Sequence, residues 1–117
     1  MSDIYTIDFE PSKLSYRQEE LGLEFADLDT AVELMKKEEK MIVAELTLYF
    51  SKNGGYKNIT ELNGLIYSDR RFKEFFDRYE KTLKERNRAK IRFESFQAFR
   101  NDLRTKVVSE RELAKNL

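Results

Sequence analysis

The stretch Asp27–Phe50, DLDTAVELMKKEEKMIVAELTLYF, decides the fold class. Leu28, Met35, Ile42 and Tyr49 recur every seven residues, and Ala31, Val32 and Leu46 fill most positions between them. Apolar residues three and four apart share one face of a helix, and a seven-residue repeat makes a seam that packs against another helix. Asp27 and Asp29 stand at the start, where the partial positive charge of a helix N-terminus stabilises acids. Asn53-Gly54-Gly55 supplies a stop. The expectation is a helix ending near Phe50, with ~24 residues spanning ~36 Å at the α-helical rise.

Toward the C-terminus, residues 51–68 read as a connection holding a short helical turn from Thr60 through Ile66, limited by Gly64 and Ser68. Ser68 or Asp69 then caps the next helix. From Asp69 onward there is neither Gly nor Pro, and Phe72, Phe76, Tyr79, Leu83, Phe93, Phe96, Leu103 and Val107 keep a heptad-like order. This predicts one helix of ~40 residues, ~60 Å long. The fold class is therefore all-α: residues 27–117 form an antiparallel helical hairpin, coiled-coil-like, with one very long C-terminal helix.

Toward the N-terminus, Ile4-Tyr5-Thr6-Ile7-Asp8-Phe9 alternates weakly until Pro11 interrupts it. Ser12 or Ser15 could cap a short helix through Glu20. Residues 1–26 read as an acidic N-terminal arm whose apolar side chains dock on something. On this reading the first helix covers only half of the second. Phe93, Phe96, Phe99, Leu103 and Val107 would overhang, and a bare apolar stripe of that size aggregates unless another chain covers it. A homo-oligomer with those five residues at its interface is the expectation.

Composition bounds the chemistry. The chain has 117 residues, the usual size of one domain, with 40% hydrophobic and 38% charged. It has no Cys and no His, which removes disulfides, thiolate nucleophiles, imidazole bases and Cys/His zinc sites. Gly22, Gly54, Gly55 and Gly64 are its only glycines, and none lies in a phosphate-cradling pattern. The paired carboxylates Glu19-Glu20 and Glu38-Glu39 read as solvated faces. A non-enzymatic protein with no cofactor and no metal is expected. No apolar run reaches the ~20 residues of a membrane span, and no signal-peptide core follows Met1, so a cytoplasmic protein is expected.

The net charge of zero hides an asymmetry. Residues 1–30 carry eight acids and two bases, a net of −6. Lys81 to Lys106 carry nine bases and three acids, a net of +6, with Phe93, Phe96 and Phe99 interleaved. Cations that track phosphates beside aromatic faces that stack bases are what single-stranded nucleic acid requires. The competing reading makes the three phenylalanines core and the charges a solvated face. Arg86 and Arg100 continue the seven-residue register of Phe72, Tyr79, Phe93 and Val107. A guanidinium in a seam is costly unless paired. Arg86 is expected to pair with Glu38, Glu39 or Glu45. Arg100 lies beyond the expected first helix and is expected to face a bound polyanion. Lys52, Tyr56 and Lys57, followed by Arg70 and Arg71 at a helix start, could clamp phosphate, although Asp69 would itself occupy that anion site.

The order of features resembles a known group. Ala44-Glu45-Leu46-Thr47-Leu48-Tyr49-Phe50 leads to a glycine-containing loop with Tyr56-Lys57-Asn58. Asp69-Arg70-Arg71 follows, then Tyr79-Glu80-Lys81 and a terminal Leu103-Arg104. Over residues 27–110 this resembles small helical proteins encoded beside bacteriophage recombination and single-strand-annealing genes, and more distantly the UvsY-type recombination mediators of T-even-like phages. The resemblance consists of helix order and tyrosine and Leu-Arg placement, without an invariant signature. It implies a ring- or barrel-like oligomer in the host cytoplasm that binds single-stranded DNA and helps a recombinase displace single-strand-binding protein. It carries Lys57, Arg70, Arg71 and Arg104 over as DNA contacts, and Arg88, Arg92, Arg100 and Lys106 join them from the basic segment. The alternative is a coiled-coil protein–protein interaction module without nucleic-acid binding: a phage assembly chaperone, a virion component or an inhibitor of a host enzyme.

Overall fold

A computed structural model describes residues 10–116. Its described residues are all-α: α1 runs Pro11–Asn53, α2 Ile59–Ser68 and α3 Arg70–Lys115. The C-terminal helix is the longest, at 46 residues. The chain divides into two compact units. One is Asp27–Arg86, and the other joins the chain before residue 27 to the chain after residue 86.

Local chemistry sets the helix ends. Proline's fixed φ and missing N–H suit the first position of a helix, and Pro11 occupies that position in α1. The helix therefore begins sixteen residues before Asp27, and Pro11 opens it instead of interrupting a strand-like arm. Residues 11–26 belong to α1, while residues 1–9 lie outside the described residues. α1 ends three residues past Phe50, at Asn53, because Gly54 (φ 69°) and Gly55 (φ 91°) take left-handed backbone that a side chain would strain.

α2 is a full ten-residue helix, longer than the expected turn. Asn58 accepts the Glu61 N–H at 2.9 Å while the Glu61 carboxylate accepts the Lys57 N–H at 2.8 Å, a reciprocal cap that satisfies two otherwise orphaned donors. Of the two expected caps for the third helix, Asp69 is the one used: its Oδ1 accepts the Arg71 N–H at 2.9 Å. Ser68 turns back instead, donating its hydroxyl to the Gly64 carbonyl at 2.6 Å.

In the unit Asp27–Arg86, Leu46, Leu62, Ile66 and Phe72 form the core, with Ile42, Val43, Phe50 and Tyr56 packed against it. Leu46 and Phe75 are 0% and 1% exposed. Arg78 pairs with Glu38 at 2.8 Å and Arg86 with Asp29 at 3.8 Å. As α3 advances its α1 partners recede, so the two helices run antiparallel here, as a hairpin requires. Phe72 stacks on Phe76 at 6.2 Å, Phe75 on Tyr79 at 5.9 Å, and the Arg78 guanidinium lies 5.8 Å from the Phe75 ring centre. Tyr67 meets Phe72 edge-on at 4.9 Å, the favoured geometry for aromatic pairs.

In the other unit, Leu14, Leu21 and Phe96 are the buried centre, joined by Phe93, Phe99 and Leu103. Gly22 permits this packing. A Cβ there would stand 3.2 Å from the Phe93 ring, so the bare backbone lets the ring lie against α1. Of the apolar stripe expected to overhang, Phe93, Phe96, Phe99 and Leu103 pack against α1 of the same chain, and Val107 is left exposed.

Leu46→Ala is expected to lower unfolding free energy by ~2–5 kcal/mol, since the site is fully enclosed and leaves a cavity. Urea denaturation followed by circular dichroism measures this, and a loss under about 0.5 kcal/mol would show that Leu46 is not a core residue.

Candidate functional site

The eight basic residues picked out as DNA contacts divide by what their own chain does with them. Arg70 Nε donates to Glu74 at 2.8 Å, one helical turn on. Arg71 lies 3.4 Å from Asp69 Oδ1 and 5.7 Å over the Tyr49 ring, so the anion site at the start of α3 is filled by the protein's own carboxylate. Arg92 Nη2 donates to Glu24 Oε1 at 2.6 Å across to α1. Arg100 donates through Nη1 to the Gln18 side-chain carbonyl and through Nη2 to Ser15 Oγ at 3.4 Å.

Arg100 was expected to lie beyond the first helix and to face a ligand. α1 starts early enough to reach it, so its hydrogen-bonding groups are turned onto α1. Arg86 does pair with the first helix, but with Asp29, because Glu38 is occupied by Arg78 and the antiparallel order sets residue 29 nearer to residue 86. At 3.8 Å this is an ion pair without a hydrogen bond, and Arg86 Nε is buried with no partner.

The remaining four candidates are different. Lys57, Arg88, Arg104 and Lys106 are exposed, and no ion pair forms at their side chains among the described residues. Arg88, Arg104 and Lys106 stand on α3 after residue 86, a segment with eight bases and four acids through Lys115. The α1 segment in the same unit, residues 11–26, holds three acids and two bases. The charge asymmetry seen in the sequence is thus partly consumed within the unit, where Glu24 holds Arg92.

The aromatics do not form a stacking platform. Phe96 is buried, Phe93 and Phe99 are half-buried, and all three pack with Leu14 and Leu21. Phe93 faces Phe25 at 6.3 Å and Phe96 faces Phe99 at 6.1 Å. Of the five residues expected at an oligomer interface, Phe93, Phe96, Phe99 and Leu103 are engaged by α1, and Val107 is exposed.

A second surface went unread in the sequence. Leu34, Met41 and Leu48 are 59%, 64% and 63% exposed, and they repeat every seven residues on the side of α1 away from buried Val32 and Leu46. The same heptad signal that marked the seam was present there. It was masked by the charged run from Lys36 to Lys40 between Leu34 and Met41, which makes that stretch look merely solvated. Beside it, the Glu33 carboxylate accepts from Lys36 Nζ at 3.1 Å, and this hydrogen bond and charge hold the lysine pKa above its ordinary value.

Among the described residues, no group of three or more His, Cys, Asp or Glu side chains is arranged to hold a metal ion. No described helix is long and apolar enough to cross a membrane. No family model, curated protein or solved structure matches the chain.

Arg100→Glu is expected to destabilise the fold by ~1–3 kcal/mol, because it replaces a donor with a charge beside the Gln18 carbonyl. A urea midpoint unchanged from the wild type would remove Arg100 from the structural framework.

Proposed function

We propose that the protein is a non-enzymatic interaction module that binds a helix of a partner protein along the outer stripe of α1. The observation that carries this reading is the stripe Leu34, Met41 and Leu48. Three large apolar side chains in heptad register, facing away from the core, present a straight apolar line, and that geometry fits another helix. A small protein keeps such a line in water at a cost in solubility unless a partner covers it. Assembly chaperone, virion component and host-enzyme inhibitor are the roles this surface suits. The test is co-purification of the chain with the products of its neighbouring genes. Leu34→Glu, Met41→Glu and Leu48→Glu combined should abolish capture by at least tenfold in affinity while helicity stays at the wild-type value. A partner retained by the triple variant, or no partner for the wild type, refutes the stripe as the working surface.

A second reading rests on Arg88, Arg104 and Lys106, three exposed cations of α3 without a side-chain partner among the described residues. It makes the protein a phage-type recombination or replication accessory factor that binds single-stranded DNA as an oligomer, as the resemblance to recombination mediators suggests, and that acts beside a recombinase or single-strand-binding protein. With Phe93, Phe96 and Phe99 engaged in packing, binding would be through phosphates, so affinity should fall steeply with salt through counterion release. Fluorescence anisotropy with a labelled oligonucleotide should show Arg88→Glu, Arg104→Glu and Lys106→Glu each flattening the log–log salt slope by about 1. Absence of binding at low salt would eliminate this reading.

A further inference from the structure

The seam face of α3 continues past the first turn of α1. Where α1 is present, Arg100 and Leu103 meet Ser15, Gln18 and Leu14. Arg104, Val107, Val108 and Arg111 follow at intervals of three, four and seven, so they share one face. Among the described residues, they border a groove of about 460 Å³ whose apolar lining includes Leu14, Leu103, Val107 and Val108. Arg104 and Arg111 stand at its edge, and neither forms an ion pair or hydrogen bond among the described residues.

The complementary surface is on the same unit. The solvent side of α1 carries Tyr16, 65% exposed, and Leu23, both apolar and seven residues apart. Glu19 and Glu20 lie between them; Glu19 has no ion pair, and Glu20 only a loose, exposed one with Arg17 at 3.6 Å. Tyr16 to Leu23 and Arg104 to Arg111 each span ~10.5 Å of helix. One surface is a basic-edged apolar groove, and the other is an acidic helix face with two apolar side chains.

From these two faces we infer that the groove at the end of α3 receives the Tyr16–Leu23 face of a second copy of the chain. Leu23 seats against Val107 and Val108, and one turn away the Glu19 and Glu20 carboxylates meet the unpaired arginines. Because each copy carries both faces, a twofold arrangement makes the contact twice. A docked acidic segment of another protein would satisfy the arginines as well, but the second copy brings the complement in every molecule. Two short helix contacts lie at the small end of specific interfaces, so a micromolar dimer is expected. The dimer is independent of the Leu34–Leu48 stripe, and it bears on the oligomer of the nucleic-acid reading without depending on that reading.

Analytical ultracentrifugation of the intact chain from about 1 to about 100 µM tests this, spanning the range over which a micromolar dimer dissociates. The wild type should pass from monomer to dimer. Arg104→Glu with Arg111→Glu, and separately Glu19→Arg with Glu20→Arg, should each remain monomeric across the range, and an equimolar mixture of the two should recover a heterodimer. Circular dichroism of each checks the fold. Should a double variant lose helicity, the single changes Leu23→Glu and Val108→Glu replace it, and each should weaken the dimer at least tenfold. A wild type monomeric at every concentration overturns the inference. So does a dimer that survives all these changes, or a mixture that fails to associate.

Discussion

The structure depends on the packing of α1 against α3 within each of its two compact units, made in both by the same seven-residue spacing. An isolated helix gains little net stability in water, so most of what holds these helices is the apolar face that each buries against the other. In one unit that face is Leu46 with Phe72, joined by Ile66 of α2, and in the other it is Leu14 and Leu21 with Phe96. With the core confined to a seam, most of the remaining residues are surface, and 38% charge is what such a surface needs to stay in water.

How much was legible follows from which rule won locally. The seam of α1 and the unbroken run of α3 were readable because periodicity over many turns is a strong signal. The start of α1 was not, although Leu14 and Leu21 continue the Leu28, Met35 and Ile42 series backward by exact sevens. Pro11 and the density of acids before Asp29 each argued locally for an arm, and tertiary packing overrode both. The consequence spread. With α1 shortened, Phe93, Phe96 and Phe99 had no cover and Arg100 had no partner, so both were given to ligands or other chains. Restoring the first four turns of α1 returns them to the protein interior and its margins.

The candidate site shows the same logic from the opposite side. A sequence can count cations, but it cannot say which are already spoken for. Arg70, Arg71, Arg92 and Arg100 are held by Glu74, Asp69, Glu24 and the Gln18–Ser15 pair, and only the contact order of the folded chain reveals this. Exposed pairs such as these contribute little stability each. What they change is availability, leaving Lys57, Arg88, Arg104 and Lys106 as the cations of that set free to meet something else.

The hydrogen bonds from Arg100 to Gln18 and Ser15 also bear on how the helices find their alignment. Heptad seams are nearly self-similar, so sliding one helix by seven residues restores much of the apolar contact. Arg100 breaks that degeneracy. A slip by one repeat would move its guanidinium off the Gln18 and Ser15 acceptors and lose both hydrogen bonds. Gln18 and Ser15 thus act as a key and Arg100 as its ward. Their contribution is a bias toward the observed alignment that a purely apolar seam would lack.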